Sequence, residues 1–544
     1  MKRYAGVLLP VTSLPSKYGI GCFDQAAYDF VDWLQKAGQR YWQILPLGAT
    51  SYGSSDDSPY QAYSAFAGNP YLISLDALVE EGVLTREECD GVSFGDNPAK
   101  VDFDKLHEHR FALLRKAYER SGISANPDYQ NFIRDNGWWL NGYALFMALK
   151  TFFHDQPFRA WPEDIRMHWG FALEHYNREL YFDIEFQKYM QFKFNQQWSR
   201  LKAYANGKHI QIVGDIPIYV SPDGADVWAH PELFQLDAHN APTAIAGCPP
   251  DAFAEDGQAW GNPLYNWNFH RATDYAWWVS RMWYSFKLYD VVRIDHFRGF
   301  DEYFSIPADA KTARGGHWEK GPGMELFNSI CRHLGNVSVI AEDLGLMTDG
   351  VRALVRDSGY PNMKVLQFAV DPADEQHRSP ALLPGHRQRL LHVAEQAEHH
   401  GVVGCFRRQA TDIPLPHRET GVMACPIILQ KAAEVLPGDT PEVLQRRRRT
   451  IHGGDVAAVG QQRHGQTAQP APGVAHMGLL RQIGGDAPGQ GRIVAAAGHG
   501  ILQKGHALRC PSLHHPPHLP CFFQHSKSAA GLQDRPAACG RIPP

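Results

Sequence analysis

The sequence contains no apolar run of the roughly 18 residues that a membrane-crossing helix needs, so no transmembrane segment is expected. Cysteine is scarce: of nine in 544 residues, only Cys22, Cys89, Cys248 and Cys331 fall before residue 371. They are too scattered for a disulfide framework and read as the reduced thiols of a cytoplasmic protein. Neither charge sign dominates, with 53 basic and 58 acidic side chains giving a net −5. That balance argues against a nucleic-acid or membrane-surface partner. No GxGxxG follows the first apolar run, which weakens a dinucleotide fold. Met1-Lys2-Arg3 and AGVLLP have the outline of a secretory leader, but Pro10 breaks the apolar stretch and no small-residue cleavage site follows closely. The segment reads as an opening β-strand.

A regional scarcity divides the chain. Residues 371–544 hold three of the 64 aromatics (Phe406, Phe522 and Phe523), with no Trp and no Tyr, yet 15 of 27 His and 18 of 37 Pro. Their charge is +6, against −11 for residues 1–370. A packed domain seldom lacks its large aromatic anchors so completely. Residues 1–370 therefore read as the core, and 371–544 as an aberrant tail, disordered or derived from a shifted reading frame. Within the tail, Arg446-Arg447-Arg448-Arg449 reads as a solvated run. Cys510, His514, His515, His518, Cys521 and His525 read as compositional bias rather than a metal site.

Within the core, short apolar runs recur at 5–12, 41–48, 210–220, 290–299, 337–345 and 363–370. Near-continuous apolarity suits strands buried on both faces of a parallel sheet. Helical patterns at 23–38 and 273–289 alternate with them, which points to an α/β barrel or a doubly wound sheet. Residues 75–205 are too long for one βα connection and read as an inserted helical subdomain. Asp215, Asp295 and Glu342 sit at or just beyond predicted strand ends, where barrel enzymes keep their chemistry.

Arg293-Ile-Asp295-His296-Phe-Arg298 sets a carboxylate between arginines, which favour its ionised, nucleophilic form. Ala341-Glu342-Asp343 puts a second carboxylate at the next strand end. Two such groups facing across a sugar can divide nucleophilic attack from proton transfer. Tyr60 and Tyr63 lie among turn formers in 58–72, and Trp260 in a Gly/Pro-rich loop over 247–267. Exposed rings of this kind stack on pyranose faces, while Asp and Gln side chains read hydroxyls.

GVLLPVTSLPS, WQILPLG, DSPYQ, SAFAGNP, GDIPIYV, ADVWA, PELFQLD, GQAWGNPLYNW, VVRIDHFRGF and AEDLG, in this order from about residue 5 to 370, resemble the 4-alpha-glucanotransferases of glycoside hydrolase family 77. The resemblance implies a (β/α)8 TIM-type barrel with helical insertions that transfers α-1,4-glucan segments with retention, using no metal or organic cofactor. It implies Asp295 as nucleophile, Glu342 as general acid/base and Arg293 as the residue orienting Asp295. Asp215 and His296 would bind sugar hydroxyls, Tyr60 the donor chain, and Asp251, Gln258 and Trp260 a loop folded over the glucan. Maltooligosaccharides would be donors, and glucans or glucose acceptors. An α-glucan hydrolase on the same scaffold, or an inactive glucan-binding product, are the competing readings.

The same resemblance implies a third carboxylate in a Thr-His-Asp-Asn segment, which residues 371–544 do not contain, and two further barrel strands. A shifted reading frame or another rearrangement accounts for both breaks. Peptide mapping of natively expressed protein beyond residue 370 is expected to return a Thr-His-Asp-Asn peptide and aromatic-rich sequence. Recovery of residues 371–544 as written would overturn that expectation.

Overall fold

The computed structural model describes residues 4–364, apart from 51–56, 98–99, 252–253 and 346. The sixth apolar run, from residue 365 on, and the whole of the tail lie outside the described residues.

Five short strands form one sheet: β1 (Gly6–Leu8), β2 (Tyr41–Gln43), β3 (Gln211–Pro217), β6 (Val291–Asp295) and β9 (Val339–Ala341). All pair in parallel, and in chain order. A doubly wound sheet would reverse its order at a switch point, so the sequential order is that of a barrel wall. Pro10, Pro46 and Pro217 lack the N–H needed to extend a ladder, which is why the strands are shorter than the apolar runs containing them. The ladder continues beyond β9, where Asn362 forms a parallel bridge with Ala341 at the sheet edge.

Helices cover the sheet. In α1 (Gln25–Lys36), Asp24 caps the first turn by accepting from the Ala26 amide at 3.2 Å. Ala27, Phe30, Val31 and Leu34 form its buried stripe. Between β2 and β3 the chain is helical from Leu75 onward, dominated by α2 (Pro127–Phe152) and α3 (Tyr181–Gly207). Tyr129 and Phe132 of α2 pack edge-on against Phe192 of α3. α4 (Ala276–Leu288) precedes β6, and Trp198 of α3 donates to its Leu288 carbonyl at 2.9 Å. No described helix is long and apolar enough to cross a membrane.

A second sheet rises beside the first, in the order β5 (Gln258–Pro263), β4 (Ala244–Cys248), β7 (Glu302–Pro307), β8 (His317–Lys320), antiparallel throughout. Much of what reads as a loop over 247–267 is therefore a β-hairpin. Its low β-propensity is offset by pairing with β7, whose Tyr303, Phe304 and Ile306 are buried.

Helix α3 anchors the chain after β2 through two buried glutamines. Gln191 accepts from the Gly68 amide at 2.7 Å and donates to the Gly68 carbonyl at 2.8 Å. Gln197 does the same at Ser74, at 2.7 and 3.3 Å. Each side chain acts as a one-residue strand partner. Gln191→Leu leaves both Gly68 groups buried and unpaired, and is expected to destabilise the fold by about 2–5 kcal/mol in denaturant titration. A change under about 0.5 kcal/mol would show that water replaces the amide freely.

Candidate active site

Strand periodicity builds the site. Side chains two residues apart share a face, and register aligns neighbouring strands. Tyr41, Val213, Val291 and Ile340 thus pack together on the inner face, joined by Tyr4 and Met363. One step toward the C-terminal end, the same face changes chemistry. Asp215 stands directly opposite Arg293 in the β3–β6 register, Asp295 follows two residues after Arg293, and Glu342 two after Ile340. An apolar layer therefore floors a charged one.

Arg293 joins the charged layer. Its Nη1 donates to both oxygens of Asp215, at 2.7 and 2.8 Å, and its Nη2 to Asp295 Oδ1 at 2.9 Å. Tyr60 Oη donates to Asp215 Oδ2 at 2.8 Å. Glu342 is held by main chain: its Oε2 accepts from the His296 amide and its Oε1 from the Leu344 amide, both at 2.8 Å. His296 has φ 55°, a left-handed turn uncommon for a side-chain-bearing residue, and it ends β6 directly after Asp295.

Burial sets the electrostatics. It pushes the Asp295 carboxyl above its ordinary value, with Arg293 opposing the rise. Burial also raises Glu342, again opposed by Arg293 and by the two amides. For Arg293, burial alone would weaken the cation, but Asp215, Asp295 and Glu342 outweigh it and hold the guanidinium charged. Burial, then Asp215, keeps Tyr60 a neutral phenol. Burial, then Arg298, pushes His296 down to about 3, and the imidazole Nε2 is buried with no hydrogen-bond partner. A neutral ring with a free nitrogen beside two carboxyls is equipped to bind a hydroxyl.

Two sequence-level expectations need correction. Arg298 does not flank Asp295: the turn after His296 carries its guanidinium over the Trp318 ring, 4.1 Å from the centroid. Asp215 lies within β3, two residues before its end, rather than at or beyond it. Sequence order also overstated how strongly guanidinium charge controls Asp295, because burial is visible only in the folded chain.

Trp260 joins the cluster through His296, its ring edge-on at 4.9 Å between centroids. Gln258 accepts from the Trp260 indole at 3.1 Å. Asp251 is exposed and closes its own turn, accepting from the Ala254 amide at 2.7 Å. Three residues with no role assigned from sequence also belong here. Tyr219 packs near both Trp260 and His296, and Gln61 pairs with Asn262 across 201 residues. They occur inside GDIPIYV, DSPYQ and GQAWGNPLYNW, so the signal was present but not resolved to single positions.

Residues 9–393 match a family model described as 4-alpha-glucanotransferase, a match that runs beyond Val370. A 4-alpha-glucanotransferase of Streptococcus pneumoniae is 48% identical over 413 residues, covering 76% of this chain and 81% of the relative. One from Clostridium butyricum is 47% identical over 360 residues, covering 66% and 73%. Among solved structures, an amylomaltase from Streptococcus agalactiae in complex with acarbose superposes with a TM-score of 0.67 at 42% identity, covering 71% of this chain and 77% of that one. The barrel-type sheet matches in kind, and the chain belongs to the 4-alpha-glucanotransferase family.

Proposed function

We propose that Asp295 and Glu342 transfer α-1,4-glucan segments by two displacements at one anomeric carbon. The observation carrying this reading is the Arg293 guanidinium, bound to Asp295 while Glu342 is held by the amide of the very next residue. Arg293 in direct contact makes the part-exposed Asp295 the more readily ionised of the two carboxyls, leaving the proton on buried Glu342. Asp295 attacks C1 as the C1–O4 bond breaks, and Glu342 gives its proton to the departing O4. Glu342 then takes the proton from an acceptor 4-OH, whose oxygen attacks C1 and releases Asp295. The α-configuration is restored.

Maltooligosaccharides and longer α-1,4-glucans are the donors in this reading, and glucans or glucose the acceptors. Asp215 and the unpaired His296 nitrogen would take hydroxyls of the reacting sugar. Tyr60 would line the donor side, and Trp260, held by Gln258, would cover the ring with Asp251 on the same hairpin turn. Transfer outruns hydrolysis when the acceptor is held in place, because positioning is worth an effective concentration of about 10⁵ M or more. The free thiols of Cys22, Cys89, Cys248 and Cys331 support a reducing, cytoplasmic setting.

Two outcomes test this assignment. Glu342→Gln given an α-maltosyl fluoride donor, whose leaving group needs no protonation, should accumulate a maltosyl ester on the peptide containing Asp295, detected by mass spectrometry. Labelling of another residue, or none, would overturn the assignment. Arg293→Met strands buried carboxylates and is expected to destabilise the protein by about 3–5 kcal/mol. Asp295 already titrates above its unfolded value, so its protonation favours the fold. That contribution is whole below about pH 4 and lost as pH rises through the folded value. Losing Arg293 raises the folded value further, so the variant's deficit in chemical denaturation should be larger at pH 8 than at pH 5.

A further inference from the structure

The β4–β5 hairpin is irregular at one place. Ile245 pairs with Pro263 and Gly247 with Ala259, so Trp260, Gly261 and Asn262 stand opposite the single residue Ala246. On its other edge β4 pairs with β7 without interruption, Ala246 with Ser305 and Gly247 with Phe304. The irregularity is thus a bulge confined to β5, the kind of distortion that re-aims side chains beside active sites. Gly261, at its centre, has φ +79°, and a Cβ placed there would meet nothing within 4 Å. Only backbone conformation, not space, calls for glycine.

The bulge sends its two flanking side chains to different partners. Trp260 reaches the His296 ring. Asn262, buried, donates to the Val220 carbonyl at 2.7 Å and to Gln61 Oε1 at 3.2 Å, and accepts from Gln61 Nε2 at 3.1 Å. Gln61 Nε2 also lies 3.5 Å from the Trp260 carbonyl. Gln61 adjoins Tyr60, whose hydroxyl is on Asp215, and Val220 follows β3, which carries Asp215. One buried amide therefore ties the hairpin, the Tyr60 turn and the exit of β3 together.

We propose that Gly261 and Asn262 are positioning residues that fix Trp260 and Tyr60 relative to each other, and so decide whether an acceptor sugar or water resolves the glycosyl enzyme. The proposal rests on the Asp295–Glu342 reading above. Neither residue touches the reacting atoms. Acceptor attack needs a second sugar placed as well as the first, so misplacing Trp260 and Tyr60 costs that step more than donor cleavage, and a displacement of about 1 Å costs roughly 10²-fold.

Transfer leaves the number of reducing ends unchanged and hydrolysis adds one, so maltotriose reports the ratio, while the first-turnover burst of fluoride from α-maltosyl fluoride reports donor cleavage alone. Gly261→Val and Asn262→Ala are expected to lower the transfer-to-hydrolysis ratio by at least about tenfold, with the first-turnover release of fluoride falling less than the ratio does. Gly261→Asn, which tolerates positive φ, should keep the ratio. Gln61→Ala/Asn262→Ala should be no worse than the poorer single variant, because the pair acts as a unit. An unchanged ratio in Gly261→Val, or transfer and fluoride release falling in parallel with the melting temperature, would overturn the proposal. Asp295→Asn is the separate control: fluoride release surviving there would overturn the two-carboxylate reading itself.

Discussion

One guanidinium organises the centre of this molecule. Arg293 holds Asp215 with one nitrogen and Asp295 with another, and Asp215 in turn receives the Tyr60 hydroxyl. Two carboxylates this close would repel one another and drive a proton onto one of them. The shared cation offsets that repulsion, so β3 and β6 can stay paired with Asp215 and Arg293 in direct register. Other features follow from keeping this group dry and oriented. The apolar layer beneath it excludes water from below, Met363 lies 3.2 Å from the Arg293 Nε, and helices seal the outer face of the sheet.

Glu342 and Asp295 are coupled through backbone as well as charge. His296 turns into the left-handed region directly after Asp295, and its amide then points at Glu342. The same turn leaves the imidazole neutral beneath Trp260 and swings Arg298 away to Trp318. Asp295, His296 and Arg298, within four positions, thus serve different purposes, and small backbone changes there would be felt at both carboxyls. The hairpin works by a different principle. It has few intrinsic strand formers, and its shape comes from pairing with β7 and from a bulge that glycine permits.

Legibility in the sequence follows the range of the interaction. Strand existence and the carboxylates at or near strand ends could be read because apolar runs and their polar termini are local patterns. The family resemblance carried the roles of Asp295 and Glu342 further than periodicity could, since each motif alone is compatible with an ion pair. The hairpin read as a loop because Gly and Pro are abundant in it, and only cross-strand pairing with a segment about 60 residues later makes it a sheet. Gln61 and Asn262 lie inside motifs the sequence singles out, but their pairing could not be read, because amides form such pairs across any separation.

Composition and local order were enough to point to an α/β core and to show that the aromatic anchors thin out after Val370. They were also enough to place Arg293 and Asp295 on one face, since alternate residues of a strand share a side. Tertiary structure decided the rest. Register, which depends on neighbouring strands, put Asp215 opposite Arg293. Burial, which depends on the whole fold, raised both carboxyls and emptied the His296 imidazole of charge. Electrostatic energies scale with the local dielectric, and no residue carries that quantity by itself; it exists only once the surrounding chain has packed.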